Sequence, residues 1–129
     1  MAKFLAYIFV MENIRGKILA GNNLGYQFGF PTVNVFYYGE EKGVFVGRVF
    51  VQGSWHPAAI NLGVRPTVDN EAHLCEAHII NWNKNLAVGT EIEVEFKQKI
   101  RDTKKFANFD ELKSQIAKDV EFVKTCYNL

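Results

Sequence analysis

Hydrophobic and polar positions alternate along most of the chain, and the period changes only near its end. The clearest case is "TEIEVEFKQKI" (90–100), where Ile92, Val94 and Phe96 fall on one side and Glu91, Glu93 and Glu95 on the other. A period of two describes a strand with one buried face. "IRGKILA" (14–20), "TVNVFYY" (32–38) and "HLCEAHII" (73–80) read as further strands. "GVFVGRVFV" (43–51) is dense in β-branched and aromatic residues, with Gly43 and Gly47 as bend points. "HPAAINLGVRPT" (56–67) holds a short strand followed by a glycine–proline turn. From Asn108 the period becomes helical, and Leu112, Ile116, Val120 and Val123 form one apolar stripe over 108–127. Asn108 and Glu111 have the spacing of a capping box, with Asn in place of Ser or Thr. Asp110 and Glu111 suit the first turn of that helix and Lys124 its last.

Six strands and one helix in 129 residues leave no room for the long crossovers of a parallel sheet. The expected fold is therefore dominated by β structure: an antiparallel sheet closed into a barrel, which removes its edges. The C-terminal helix then covers one opening or one side.

Composition narrows the class. The length fits one domain, and 48% hydrophobic with 22% charged residues is ordinary for a soluble globular chain. A net charge of +1 gives no global pull toward nucleic acid or an acidic membrane, so neither is expected as a partner. "FLAYIFVM" (4–11) is far shorter than the about 20 residues of a spanning helix. "ENIRGK" after it offers no small-residue cleavage site. It reads as an entry strand or an ordered lead-in, and a cytoplasmic location is expected. Cys75 and Cys126 lie far apart and form no C-x-x-C pair, which reads as two free thiols in a reducing compartment.

Four groups of residues are candidates for chemistry. Thr32 and Asn34 share a strand face and offer two hard oxygen ligands of the kind Mg²⁺ takes, or else form an ordinary polar outer face. The preceding loop "GNNLGYQFG" (21–29) carries Gly21, Gly25 and Gly29. Such loops either form anion-binding nests or serve as flexible connections, and no Walker A lysine follows. Glu76 shares a face with Leu74, His78 and Ile80. A carboxylate on an apolar face inside a barrel is desolvated toward the range of a general base, and pairing with His78 is the structural alternative. The run "KQKIRDTKKF" (97–106) holds five basic residues and one acid, which steers a polyphosphate or forms a solvated strand end. The cluster His73, Cys75, Glu76 and His78 is not a zinc site, because strand neighbours alternate faces.

Taken in order, these pieces resemble the riboflavin kinases, from about Gly16 to the end of the chain. The resemblance is carried by "GKILAG" (16–21), "GFPTVN" (29–34), "GVFVGRV" (43–49), "NLGVRPT" (61–67), "EAHII" (76–80), "IEVEFKQKIR" (92–101) and "KKFANFDEL" (104–112). It implies a closed Greek-key barrel of six antiparallel strands over 16–129, behind a lead-in of residues 1–15. It also implies transfer of the ATP γ-phosphoryl group to the 5′-hydroxyl of riboflavin, giving FMN and ADP. In that family Thr32 and Asn34 would hold Mg²⁺ and phosphate oxygens, and Glu76 would deprotonate the ribityl hydroxyl. The loop 21–29 would be the flap over the phosphates, with Gly21, Gly25, Gly29 and Pro31 binding the nucleotide or its phosphates, and Arg101 and Phe106 would flank the flavin. Many bacterial relatives carry an FMN adenylyltransferase domain ahead of the kinase, and residues 1–15 are too few for one. The resemblance therefore implies a kinase-only monomer or the C-terminal part of a longer protein.

The chain departs from the family pattern in the flap, where basic residues are usual and Leu24 and Tyr26 stand, with Asn23 at a usual glycine. An uncharged flap leaves a second reading open, a flavin- or nucleotide-binding barrel with weak or no catalysis. A third, an oligonucleotide-binding barrel, would use Phe36, Tyr37 and Tyr38, but these lack interleaved basic residues.

Overall fold

The structure, a computed structural model, describes residues 12–20, 32–66, 71–82 and 84–129. Among these it contains strands β1 (Glu12–Lys17), β2 (Thr32–Phe36), β3 (Gly43–Val51), β4 (Ser54–Pro66), β5 (Glu71–Ile79) and β6 (Glu91–Arg101), and a helix, α1 (Phe109–Cys126). Gly21, Gly25, Gly29, Pro31 and the segment 4–11 lie outside the described residues. The sheet order is β1-β6-β3-β4-β5-β2, with all neighbours antiparallel. Strands β3, β4 and β5 form a meander. Strand β6 returns beside β3 and β2 lies beside β5, giving two overlapping Greek keys.

The barrel is nearly closed where β1 meets β2. Ile18 donates its N–H to Thr90 on the β6 side, and Leu19 donates to the Asn34 carbonyl on the β2 side. The chain thus switches partners within two residues. Gly16 allows the approach: a Cβ there would stand 3.3 Å from the Cβ of Val35.

The alternation read from the sequence sorts the two faces correctly. Ile92, Val94 and Phe96 of β6 point into the interior with Val33, Val35 and Ile60. Outside, Glu95 takes a hydrogen bond of 2.6 Å from Arg48, and Glu93 one of 2.8 Å from Asn13. Strand β3 bends around Gly47, where its register with β6 shifts. A Cβ at Gly47 would collide with the Glu95 carbonyl, so the bulge requires glycine. Gln52 and Gly53, both at positive φ, make the two-residue β3–β4 turn.

Two local readings change. The glycine–proline turn expected within 56–67 is absent, and β4 runs through Gly63, paired with Leu74, to Pro66. The long ladder with β5 overrides the local glycine and proline signals. At the helix start, Asn108 Oδ1 accepts the Glu111 N–H at 2.9 Å as expected. The Glu111 carboxylate, however, reaches back to the N–H of Ala107 rather than that of Asn108.

The helix covers the side of the barrel, not an opening. Ile116, Val120 and Val123 pack on Val46, Ala59 and Ile80 of the outer wall, and Tyr127 donates its hydroxyl to the Gly47 carbonyl at 2.9 Å. The helix is also tied to the end of β6. Arg101 makes a two-pronged pair with Asp119, Nε to Oδ1 at 2.9 Å and a terminal nitrogen to Oδ2 at 2.7 Å. Gln115 adds a third bond to Asp119. The Asp119 side chain is 5% exposed. Breaking such a buried pair from one side leaves a stranded charge and costs about 3–5 kcal/mol. Asp119→Ala should therefore lower the midpoint of urea unfolding far more than Glu121→Ala, whose Lys124 pair is solvent-exposed. Equal midpoints would show that Arg101 re-solvates freely.

Candidate active site

The site is built on the outer wall of the barrel, by residues that strand alternation turns away from the core. Register places Arg101, Val44, Asn61, Glu76 and Asn34 side by side across β6, β3, β4, β5 and β2. A second row holds Ala59, His78 and Thr32. Cross-strand neighbours on one face stand within about 5 Å at their Cβ atoms, so Glu76 is flanked on one side by Asn34 and on the other by Asn61.

The four polar groups of β2 and β5 are close and largely buried. The Thr32 hydroxyl lies 3.0 Å from Nδ1 of His78. The other ring nitrogen, Nε2, approaches Glu76 Oε1 to 3.3 Å. Asn34 is 6% exposed, and its Oδ1 has no hydrogen-bond partner among the described residues. A buried carbonyl oxygen left unmatched normally costs about 1–3 kcal/mol, so its persistence calls for a ligand. Hard oxygen donors, one of them with an unused lone pair beside a carboxylate, fit Mg²⁺. That ion binds few protein oxygens and keeps substrate phosphates and waters as its other ligands.

One expectation is corrected here. Glu76 shares its face with Leu74, His78 and Ile80, but that face is the outer wall and not the barrel interior. Cys75, Ala77 and Ile79 are the β5 residues that point into the core. Glu76 is shielded by its strand neighbours and lines a small cleft of about 170 Å³ with Asn61, Gly63, Val64, Leu74 and Thr103. Both faces of β5 carry apolar residues, so period alone did not say which face was inward. Cys75 is a free, buried thiol, and Cys126 is free and exposed, as expected. Burial, reinforced by the neighbouring Glu76 carboxylate, pushes the Cys75 thiol up, so it stays protonated and plays no nucleophilic part.

Arg101 and Phe106 do come together, with the guanidinium carbon 5.9 Å from the ring centroid. They stand at the β6 end of the row, roughly 14 Å from Glu76 at three strand spacings. Thr103, two residues past Arg101, lines the cleft. Asn61, His78 and Thr103 belong to the site although sequence reasoning gave them no role in it. Asn61 lies inside "NLGVRPT" and His78 is the structural alternative partner of Glu76, so both carry a signal in the sequence. Thr103 follows the end of β6 by two residues and lines the cleft without a local signal for that place. A larger cleft of about 670 Å³, bounded by Phe36, Tyr38, Lys42 and His73 among others, adjoins the site through the Phe36–Leu74 strand pair. Tyr37 points into the core at 4% exposure, which removes one of the three aromatics an oligonucleotide surface would have used.

Fold and site together define a Greek-key barrel with an oxygen-donor row and a sheltered carboxylate on its outer wall. The family model described as riboflavin kinase (flavokinase) matches residues 11–127. The chain is 40% identical over 119 residues to the bifunctional riboflavin kinase/FMN adenylyltransferase of Haemophilus influenzae, covering 89% of this chain and 38% of that protein. It is 38% identical over 110 residues to the protein of the same description from Escherichia coli K12, covering 82% and 35% respectively. A solved structure described as a macrolide-efflux protein from Streptococcus pneumoniae superposes with a TM-score of 0.77 at 30% identity, over 87% of this chain and 38% of that one. The chain belongs to the riboflavin kinase family. It spans little more than a third of the length of these relatives. Among the described residues no helix is long and apolar enough to cross a membrane.

Proposed function

We propose that this chain transfers the γ-phosphoryl group of ATP to the 5′-hydroxyl of riboflavin, giving FMN and ADP. The observation that carries the reading is the row Asn34–Glu76–Asn61, in which a buried oxygen unmatched among the described residues stands beside a sheltered carboxylate on a family-matched barrel. Phosphoryl transfer asks for charge neutralisation, alignment and an oriented nucleophile more than for covalent chemistry by the protein.

In this reading Thr32 and Asn34 hold Mg²⁺ through their side-chain oxygens. The ion supplies positive charge against the developing charge on the phosphate oxygens. Glu76 accepts the proton of the ribityl hydroxyl as its oxygen forms the new bond to phosphorus and the bond to the ADP oxygen breaks. Asn61 and Thr103, across the small cleft, orient the ribityl chain. Arg101 and Phe106, at the β6 end of the same row as Glu76, receive the flavin ring. The same layout argues against a purely binding barrel, which needs neither a sheltered base nor an unmatched oxygen.

The two relatives named above are bifunctional, so we further propose that the kinase acts beside an FMN adenylyltransferase domain, consuming riboflavin and supplying FMN. The test is incubation with riboflavin, ATP and Mg²⁺, followed by chromatography. FMN should form and should stop forming with excess chelator. No FMN with any nucleoside triphosphate leaves the binding barrel as the surviving reading.

A further inference from the structure

We propose that His78 is a positioning residue that sets the two halves of the site at once, aiming the Thr32 oxygen at the metal and holding the Glu76 carboxylate in line. The inference rests on the kinase reading and deepens it. His78 is 7% exposed on the outer wall and bridges two strands. Its Nδ1 lies 3.0 Å from the Thr32 hydroxyl, and its Nε2 lies 3.3 Å from Glu76 Oε1.

A carboxylate only accepts, so the ring nitrogen facing Glu76 carries the proton. In the neutral ring the other nitrogen, Nδ1, is then an acceptor. The Thr32 hydroxyl has a single proton, and Nδ1 takes it. Every other contact of Thr32 Oγ1 is therefore made through lone pairs, which is what a cation requires of a hydroxyl ligand. With the opposite tautomer Nδ1–H would donate to Oγ1 and occupy one of the lone pairs a cation needs. The 3.3 Å contact to Glu76 is long for a hydrogen bond, as such contacts often are before substrate binds. A ring spanning both groups also prevents the carboxylate from turning toward the metal, which would remove the base.

Two amides divide the imidazole between them. Asn places an acceptor near the position of Nδ1 and nothing near Nε2. Gln reaches the position of Nε2 with an N–H donor and places no acceptor at the position of Nδ1. Groups that orient a metal ligand typically contribute 10- to 100-fold in metal affinity or activity. His78→Gln is expected to weaken Mg²⁺-dependent ADP binding, measured by calorimetry, by about tenfold or more. His78→Asn is expected to keep that affinity within about threefold while kcat falls by about tenfold or more. Nitrogen NMR of the wild-type ring supplies a readout that needs no variant, and Nε2 should carry the proton with Nδ1 bare. A proton on Nδ1, or identical behaviour of the two variants, overturns the role of His78. If wild-type protein binds ADP no better with Mg²⁺ than without, the kinase reading itself fails, and the positioning role falls with it.

Discussion

Replacing Glu76 by Gln should abolish nearly all turnover while leaving substrate binding intact. The amide has the shape of the carboxylate and still offers an oxygen to His78 Nε2, so the strand pairing with Asn34 and Asn61 is retained. What it cannot do is accept a proton. General-base removal typically lowers the rate by about 10²- to 10⁴-fold, and kcat for FMN formation should fall by that range. Riboflavin affinity, read from flavin fluorescence, should stay within about threefold, because a hydrogen-bonding group remains in place. Nucleotide affinity should hold or tighten, since a negative charge beside the polyphosphate has gone. A kcat within tenfold of wild type would remove Glu76 as the base.

Replacing Asn34 by Leu should separate stability from function. The Asn34 side chain is buried and its Oδ1 is unmatched among the described residues. An apolar group of similar volume removes that unmet acceptor, so thermal stability without ligand should stay within about 1 kcal/mol of wild type or rise. The Mg²⁺-dependent part of ADP binding should be lost, and FMN formation with it. Most buried polar-to-apolar changes at a structural hydrogen bond do the reverse, lowering stability and leaving distant chemistry alone. A marked loss of stability with unchanged Mg²⁺ dependence would show that Asn34 is structural.

Much of this was legible in the residues. The alternation of β6, the helical stripe of α1 and the shared face of Thr32 and Asn34 follow from period, because a half-buried strand and an amphipathic helix leave different signatures. What period could not decide was the inside of β5. Leu74 and Ile80 are as apolar as Ala77 and Ile79, and the choice between faces is made by the helix, which covers Ile80 from outside. The turn expected near Gly63 failed for a related reason. A glycine inside a long two-sided ladder is held by its partners and need not bend. The links among sites were hidden as well. The Arg101–Asp119 pair joins positions on two elements, and the His78 bridge depends on strand register. Both are products of packing, which no local pattern encodes.

In the proposed function the metal–phosphate site lies on the outer wall of the barrel. Mn²⁺ can replace Mg²⁺ as a paramagnetic probe, titrated with ADP into isotopically labelled protein. Relaxation should broaden the Asn34 side-chain amide and the signals of Thr32 most strongly, with Glu76 and Asn61 next and Tyr38 and Lys42 less. Broadening centred on the cleft at Tyr38 and Lys42, with the Asn34 amide left sharp, would contradict it.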